Sequence, residues 1–441
     1  MKPFFSTPLP DLFVAIVLLV LSFAVYGNTI GNGFVLDDNS YIEGNYLLRS
    51  LDNIPKFFNV PEDAKVEDLP AGFLKGRNMR WVTYAVDYAI GEGNPSAFHV
   101  SNILWHFFAG FGLYLLVKLW FDSQVLSLLA ATIFLVHPIQ TNAVAYIFAR
   151  KDILAGGFGI WAIYYWQRFY HSKKVFFLIA SFVLLIVAYL SKESAAVIPA
   201  LVAVTWLIIE KPVLSFRQLK DLKASQYFCG LLFFCFIALV AYQKQGAILS
   251  VFRGGATSFV EGGQGLVKAN LSFANVVLFY FFKMILPINL LADYRGVFSF
   301  SLYPESYGWP VSFVFTVSFV ALIYYLSARW REGAVGLVWT FLALLPVSHL
   351  IPFYFPVAEH YIYLPFAGFS ILVASLLLKI KQKNRLFGVS LIVIVLILFC
   401  VMTIVRNRVW YDMDTLTVDI LAKAPDHYRA RSTMVHLLAE Q

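Results

Sequence analysis

The chain has 441 residues, of which 60% are hydrophobic and only 14% are charged. Soluble globular domains are about half apolar and about a quarter charged, so this composition excludes an ordinary soluble enzyme. The formal net charge of +8 does not indicate a nucleic-acid partner, because the basic residues gather in short connectors between apolar runs, where they act as topology signals. Repeated apolar runs of roughly 17–25 residues predict an all-α polytopic membrane protein.

The first apolar run, residues 11–27, leads into a long polar segment, residues 28–97. No small-residue cleavage site follows the run, which therefore predicts a retained anchor and not a signal peptide. A connector as long as this polar segment is usually functional. It places Asp37 and Asp38 just outside the membrane. The spacing in Ser40–Glu43 fits a capping box, which predicts that a helix starts just after the two aspartates.

A series of apolar spans follows, separated by charged connectors. Segment 270–292 is ambiguous, because Lys283, Pro287 and two asparagines interrupt it. When it is interpreted as a re-entrant or interfacial helix within a larger loop, 244–308, the four most basic connectors all face the cytoplasm. The predicted spans after the first are 98–119, 123–137, 152–170, 175–190, 194–210, 226–243, 309–328, 333–350, 361–378 and 386–405.

The eleven spans predict a membrane domain over residues 1–405, with a cytoplasmic N-terminus and an extracytoplasmic first loop. Residues 406–441 then form a polar, amphipathic tail on the extracytoplasmic side. Two short helices are predicted in the tail, at 412–423 and 426–440, on either side of Pro425. The short tail and the lack of a retrieval signal favour a bacterial inner membrane over the membrane of the endoplasmic reticulum.

Five polar clusters fall on the same extracytoplasmic face in this topology. Carboxylates beside several cations at a membrane surface suit a lipid headgroup whose phosphate needs cations and whose neighbouring group needs a base. A departing lipid phosphate is already a stable anion, so cations can assist it without a general acid. The clusters are Asp37-Asp38, the segment from Arg77 through Arg80 to Asp87, Arg150-Lys151-Asp152, Ser191-Lys192-Glu193 and Glu359-His360-Tyr361.

Each cluster also has an interpretation without chemistry. Adjacent aspartates before a helix are suited to capping it. The charges of Arg150-Lys151-Asp152 would neutralise one another at the end of a span, and Lys192 and Glu193 would simply pair within a turn. His360 lies at the start of a span, where residues that anchor the chain at the membrane interface are common.

Five stretches between residues 25 and 425 occur in an order and at spacings typical of one family. They are Gly33-Phe34-Val35-Leu36-Asp37-Asp38; Arg80-Trp81-Val82-Thr83 with Phe98-His99-Val100-Ser101-Asn102-Ile103-Leu104-Trp105-His106; Val136-His137-Pro138-Ile139-Gln140-Thr141-Asn142-Ala143-Val144-Ala145-Tyr146; Leu190-Ser191-Lys192-Glu193-Ser194; and Ala358-Glu359-His360-Tyr361-Ile362-Tyr363-Leu364-Pro365. Together they resemble the TMTC-type and related O-mannosyltransferases of the GT-C superfamily, which depend on polyprenyl- or dolichyl-phosphate sugars.

The resemblance implies a GT-C fold that transfers a sugar from a lipid phosphate to an acceptor hydroxyl on the lumenal or periplasmic face. The acidic motif in the family's first loop corresponds to Asp37 and Asp38, one of which would be the base. The residues that the resemblance assigns to the donor-phosphate site are Arg150, Lys151, Lys192 and His360, with Arg80, Glu193 and Glu359 in supporting positions.

The chain departs from the family pattern in three places. Arg80-Trp81 stands where the family has Arg-Pro, and Ala358-Glu359-His360 stands where it has Ala-Glu-Arg. The histidine would make contact with phosphate depend on pH. Many relatives continue into a long array of tetratricopeptide repeats, whereas this tail resembles a single helix pair, fewer than the roughly three repeats that such a solenoid needs. We therefore do not expect a repeat array to recognise an acceptor protein.

The leading hypothesis is an inverting glycosyltransferase that moves a monosaccharide from a polyprenyl phosphate to a hydroxyl on a protein, glycan or lipid. Neighbouring side chains of an extended segment point opposite ways, so only one of the two aspartates is expected to be the base. Asp37 is preferred for this role, and Asp38, which is nearer the predicted helix start, would orient or cap. We expect no metal, since a monophosphate donor makes one unnecessary, although paired carboxylates suit Mg²⁺ or Mn²⁺. The alternatives are a transporter or flippase of a lipid-linked sugar and a non-catalytic membrane scaffold.

Overall fold

The structure is a computed structural model that describes residues 9–59, 77–210, 273–295, 308–348 and 357–439. Every element within these ranges is helical, as expected where lipid offers the backbone no hydrogen-bonding partner. The all-α prediction is therefore confirmed. The predicted span at 226–243, and most of the predicted re-entrant loop, lie outside the described residues.

The described helices begin and end within a few residues of the predicted spans. The main ones are α1 Asp11–Tyr26, α2 Asn78–Gly91, α3 Pro95–Phe121, α4 Gln124–Val136, α5 Thr141–Ala145, α6 Arg150–Ser172, α7 Val175–Ser191, α8 Ile198–Glu210, α9 Phe273–Ile285, α10 Gly308–Arg329, α11 Arg331–Leu344, α12 Tyr363–Lys383, α13 Arg385–Asn407, α14 Met413–Lys423 and α15 Tyr428–Ala439.

Five helical stretches in the described ranges are long and apolar enough to cross a membrane: those of α1, α3, α8, α12 and α13. A sixth is formed if α4 is joined to the helical residues after Pro138, across a bend of 51°. Helices such as α7, with 17 residues, are shorter than a full span, and the predicted span 226–243 lies outside the described residues, so the count of eleven stays a prediction.

Helices α11 and α12 approach each other backbone to backbone where Gly336 meets Gly368. A Cβ atom on Gly336 would lie 2.7 Å from the carbonyl oxygen of Gly368, and the reverse distance is also 2.7 Å. Close packing of this kind is the main attraction between helices in lipid, and only small residues permit it. The buried Trp339 adds a hydrogen bond from its Nε1 to the carbonyl of Leu364, at 2.9 Å.

A second buried cluster joins the first loop, α2, the segment 145–149 and the tail. We call this assembly the loop–tail layer; its core includes Val35, Trp81, Tyr84, Phe148, Trp410 and Leu416. Main-chain contacts reinforce it, because the N–H of Gly33 donates to the carbonyl of Tyr411 at 2.8 Å and that of Leu36 to Met413 Sδ at 3.0 Å. The first loop and the tail therefore lie on the same side of the helix bundle.

The described part of helix α9 has 13 residues, fewer than the roughly 20 that cross a hydrocarbon layer of about 30 Å. The chain then folds back on it, because Lys283 Nζ donates to the carbonyls of Ile288 and Asn289 at 2.8 and 3.0 Å. Since the residues on both sides of 273–295 lie outside the described ranges, the re-entrant path stays a prediction.

The predicted capping box at Ser40 is wrong. The helical segment Asn39–Glu43 is a π-helix whose N-cap is Asp38, and the Asp38 side chain makes no capping hydrogen bond. Ser40 lies inside this segment. The chain turns into it through Leu36, which has a left-handed backbone with φ of 52°, and this turn directs the Asp38 carboxyl group back into the protein.

Candidate active site

The two aspartates of the first loop have opposite environments. Asp38 is buried, and its Oδ2 and Oδ1 accept hydrogen bonds from the N–H groups of Val35 and Phe148, at 3.2 and 2.8 Å. Asp37 is exposed, and its N–H donates to the hydroxyl of Tyr146 at 3.3 Å. The Tyr146 ring stacks on Trp410, with 5.4 Å between centroids. Asp38 thus fixes the turn, and Asp37 presents its carboxylate at the surface.

Burial raises the pKa of Asp38 to about 8. The N–H donors of Val35 and Phe148 act to lower this pKa, the charge of Asp37 raises it further, and the charge of Lys151 lowers it. At neutral pH the Asp38 carboxyl is therefore mostly protonated. A buried, largely neutral acid that is held by main-chain donors is suited to positioning the loop and poorly suited to accepting a proton from an acceptor.

The buried Lys151 lies beside this turn, and the buried Lys192 is close enough to Lys151 for their charges to interact. Lys151 Nζ donates to the carbonyl of Phe148 at 3.0 Å, and Lys192 Nζ donates to Asp152 Oδ1 at 2.5 Å. Lys192 also lies 4.3 Å from the ring centroid of Tyr361. An ammonium group has three N–H donors, and within the described residues each lysine makes one side-chain hydrogen bond. Both therefore have donors left for an anionic ligand.

Arg150 was expected to bind the donor phosphate, and the geometry does not support this role. Its guanidinium is fully buried and donates through Nε to Asn102 Oδ1 at 2.6 Å, through Nη2 to the Phe98 carbonyl at 2.8 Å and through Nη1 to the Asp87 carboxylate. With its nitrogens engaged by the protein, Arg150 joins α6 to α2 and α3. Lys151 is the next residue along the chain.

Glu193 holds Arg77 at the start of α2. Arg77 Nε and Nη2 donate to the two carboxylate oxygens of Glu193 at 3.0 and 2.6 Å, which is a bidentate arrangement. The side chains of Arg77 and Glu193 are 27% and 35% exposed, so the pair contributes little to stability. Its effect is to place another cation close to Lys192.

Arg80 is the most unusual cation of the site. It is fully buried, and its Nε, Nη1 and Nη2 atoms have no hydrogen-bond partner in the described part of the chain. The guanidinium carbon lies 4.2 Å from the ring centroid of Trp81 and 4.3 Å from that of Phe148. Burial lowers the pKa of Arg80 to about 10, and the charge of Arg77 lowers it further. A buried cation is costly without an anion, so this position favours an anionic ligand.

Glu359 and His360 are neighbours in the chain but contact different segments. Glu359 Oε1 accepts from the N–H of Leu291 at 2.5 Å and from the Tyr294 hydroxyl at 2.9 Å, which fixes the segment after α9. His360 Nδ1 lies 2.7 Å from Asn142 Oδ1. With the amide oxygen as acceptor, Nδ1 carries a hydrogen, so that Nε2 of a neutral His360 is an acceptor and becomes a donor only on protonation.

The chain has measurable similarity to known proteins, although no protein-family model matches it. It is 23% identical over 394 residues to a protein O-mannosyl-transferase of Caenorhabditis elegans, covering 87% of this chain and 54% of that protein. It is 24% identical over 463 residues to protein O-mannosyl-transferase TMTC3 of Homo sapiens, covering 95% and 48%. The chain thus spans about half the length of these curated relatives.

Among solved structures, the apo oligosaccharyltransferase of Archaeoglobus fulgidus matches with a TM-score of 0.51. The match covers 90% of this chain and 56% of that chain at 12% identity, a level at which the likeness shows the fold alone. The chain is similar in sequence to TMTC-type protein O-mannosyl-transferases, and it shares the GT-C fold of this oligosaccharyltransferase. The resemblance found in the five sequence stretches is confirmed.

Several contacts in this candidate site were not predicted from the sequence. In the sequence, Asp87 is only the end of a charged segment, and nothing there indicates its contact with Arg150. Tyr146 and Asn142 lie inside a stretch that carried the resemblance, but nothing in that stretch indicated that they would contact Asp37 and His360. Their polarity next to motif residues was the only available signal.

A metal site was not expected in the TMTC-like chain. Within the ranges that the structure describes, no three His, Cys, Asp or Glu side chains lie together as metal ligands would. Independence of the reaction from metal stays a prediction, to be tested with chelators on the purified protein.

Proposed function

We propose that this TMTC-like chain is an inverting glycosyltransferase that moves a monosaccharide from a polyprenyl-phosphate carrier to an acceptor hydroxyl. The reaction takes place on the side of the loop–tail layer, which we assign to the periplasm or lumen. One observation carries the proposal: the turn that presents Asp37 is fixed by Asp38, and Asp38 shares the backbone of Phe148 with the buried cation Lys151. A surface carboxylate and a phosphate-binding cation thus belong to one rigid unit.

In the proposed reaction, Asp37 accepts the proton of the acceptor hydroxyl. The hydroxyl oxygen forms a bond to the anomeric carbon from the side opposite the phosphate. The bond between that carbon and the phosphate oxygen breaks, and its electron pair stays on the polyprenyl phosphate. A single displacement inverts the anomeric configuration, and Asp37 then releases its proton to water.

The phosphate needs stabilisation as its charge increases, and the buried cations are suited to supply it. Lys151 and Lys192 have N–H donors left within the described residues, and Arg80 has a guanidinium without a protein partner there. Fixed cations in a site with little water stabilise a developing anion far better than solvated ones. His360 would add a donor when protonated, whereas Arg150 acts through the position of Lys151.

The test uses the full chain in lipid nanodiscs with polyprenyl-phosphate sugars as donors and follows the loss of sugar from the carrier and the anomeric form of the product. Removing a general base typically lowers the rate about 10²–10⁴-fold, which is the loss expected for Asp37→Asn. Glu43→Gln is the matched control, because Glu43 is an exposed carboxylate in the neighbouring π-helix, and its turnover should equal that of the wild type.

Three outcomes would contradict the proposal. Normal turnover in both Asp37→Asn and Asp38→Asn would remove the catalytic assignment. A product with retained anomeric configuration would exclude the single displacement. Movement of the intact donor between leaflets of proteoliposomes without loss of sugar would identify a flippase.

A further inference from the structure

His360 is half-buried in the candidate site, and the two nitrogens of its ring have different environments. Nδ1 lies 2.7 Å from Asn142 Oδ1, and the Tyr361 ring packs edge-on against the imidazole, with 4.7 Å between centroids. No group in the described part of the chain makes a hydrogen bond to Nε2. The contacts with Asn142 and Tyr361 fix the ring, so Nε2 keeps one orientation and can contact a ligand.

The charges around His360 favour the neutral form of its ring. Lys151, Lys192 and Arg77 are close enough for their charges to act on the imidazole, and all three oppose the addition of a second hydrogen. With Nδ1–H donated to Asn142, Nε2 of the neutral ring has a lone pair and can only accept. An ionised phosphate oxygen is also an acceptor and does not suit this nitrogen. A hydroxyl group, which can donate, does suit it.

His360 lies near both the proposed base and the proposed phosphate cations. Its partner Asn142 is in α5, and Tyr146, whose hydroxyl accepts from the N–H of Asp37 at 3.3 Å, follows four residues later. The two partners are thus separated by about one helical turn, roughly 5.4 Å along the axis. In a displacement at the anomeric carbon, the sugar lies between the phosphate and the base. His360 is therefore placed beside the sugar of the donor.

The position of His360 also favours one hydroxyl of that sugar. The hydroxyl on C2 is the one closest to the phosphate, because C2 is bonded to the anomeric carbon that carries the phosphate oxygen. The His360 ring is within reach of the charges of the phosphate-site cations Lys151 and Lys192. In enzymatic cleavage of glycosidic bonds, hydrogen bonds to the C2 hydroxyl strengthen in the transition state. An acceptor at this place would therefore assist the reaction as well as binding.

We propose that His360 accepts a hydrogen bond from the C2 hydroxyl of the transferred sugar through Nε2 and selects donors by the presence and configuration of that hydroxyl. This inference rests on the proposed glycosyl transfer and adds a specificity determinant for the donor. The hydroxyl keeps its hydrogen throughout the reaction. Mannose and glucose differ only in the direction of this hydroxyl, so an acceptor held in one orientation distinguishes them.

The test uses the full chain in lipid nanodiscs with three donors: the polyprenyl phosphates of mannose, of glucose and of their common 2-deoxy analogue. The measured quantity is kcat/KM for loss of sugar from the better hexose donor, divided by kcat/KM for the 2-deoxy donor. Both values come from the same protein, so this ratio does not depend on the folded fraction of a variant. The intrinsic reactivity of the analogue cancels when the ratios of two variants are compared.

Three variants separate the hydrogen bond from other effects. His360→Phe removes the acceptor and keeps a ring, and His360→Gln keeps an acceptor in its amide oxygen. His436→Phe is the matched control, because His436 is exposed on α15 in the tail. We expect His360→Phe to lower the ratio roughly tenfold, the effect of one hydrogen bond that strengthens in the transition state. His360→Gln should keep part of the ratio, and His436→Phe should equal the wild type.

The outcomes separate the sugar contact from the other assignments. An equal ratio in the wild type and His360→Phe would overturn the sugar contact while the glycosyltransferase proposal stands. A loss of rate in His360→Phe that is the same for all donors and grows from pH 8 to pH 6 would also overturn it, because a protonated His360 would then bind the phosphate. If the wild type removes sugar from no polyprenyl-phosphate hexose or pentose, the proposed function fails, and the sugar contact fails with it.

Discussion

Asp38 and Lys151 are held by the two polar groups of one residue, because the N–H of Phe148 donates to Asp38 Oδ1 and its carbonyl accepts from Lys151 Nζ. The Phe148 ring adds to this arrangement, since the Lys151 ammonium lies 4.5 Å from its centroid. The acidic turn and the cation therefore cannot shift independently. A reaction that needs a base and a phosphate site at a fixed separation benefits from such a common anchor.

The two aspartates should respond differently to the same substitution. Asp37→Asn should remove transfer and leave thermal stability unchanged, because the Asp37 side chain is exposed. Asp38→Asn should lower both transfer and thermal stability. The NH₂ group of the new side chain would face a main-chain N–H and leave that buried donor unsatisfied, at a cost of about 1–3 kcal/mol. Apparent melting temperatures in detergent and transfer rates measure the two effects. Equal losses of stability in the two variants would contradict the finding that Asp37 is exposed and Asp38 is buried.

The stability of the protein should carry a pH dependence that comes from Asp38. Its pKa is about 8 in the folded protein and about 3.9 in an unfolded chain. Between these values the folded state holds a proton that the unfolded state has lost, so this group favours folding at low pH and its contribution falls as pH rises to about 8. The stability advantage of the wild type over Asp38→Asn should therefore shrink from pH 5 to 8 and stay level above. A constant difference in melting temperature from pH 5 to 9 would refute it.

Variants of the buried pair Lys192–Asp152 can distinguish a structural role of Lys192 from a phosphate-binding role. Lys192→Met leaves a buried carboxylate unpaired, which typically costs about 3–5 kcal/mol. Lys192→Met combined with Asp152→Asn removes both charges and should restore much of the stability. Transfer should remain low in the double variant, because the phosphate still lacks its cation. Recovery of turnover together with stability would show that Lys192 only balances Asp152.

Adding a methyl group at the contact between α11 and α12 should destabilise the protein. Gly336→Ala would place a Cβ 2.7 Å from main-chain atoms of Gly368 and Leu372, so the helices must separate and lose packing. We expect a clear loss of thermal stability. Gly27→Ala is the matched control, because no atom lies within 4 Å of the added Cβ. Similar melting temperatures for the two variants would contradict the close approach.

The helices could be predicted well from the sequence alone. Helix α7 was expected at 175–190 and is Val175–Ser191, and α3 was expected at 98–119 and is Pro95–Phe121. The reason is physical: in hydrocarbon each backbone group must pair within its own helix, so apolar length and flanking charge locate most of the ends.

The partners within the site could not be predicted in the same way. Arg150 and Asp87 are 63 residues apart, and their contact depends on how α2 and α6 are rotated about their axes. Packing against neighbouring helices sets that rotation, and hydropathy does not report it. The interpretation of Asp38 as a helix cap fails for a similar reason, because a distant main-chain donor, the N–H of Phe148, binds the carboxyl group that its position in the sequence assigned to the following helix.

The stack of Tyr146 on Trp410 links the acidic turn to a residue that is synthesised much later. The N–H of Asp37 donates to the Tyr146 hydroxyl, and the indole against that ring follows helix α13. During synthesis the acidic loop therefore emerges long before Trp410. A nascent chain that ends before residue 410 would carry the whole acidic motif without the indole that supports the Tyr146 ring.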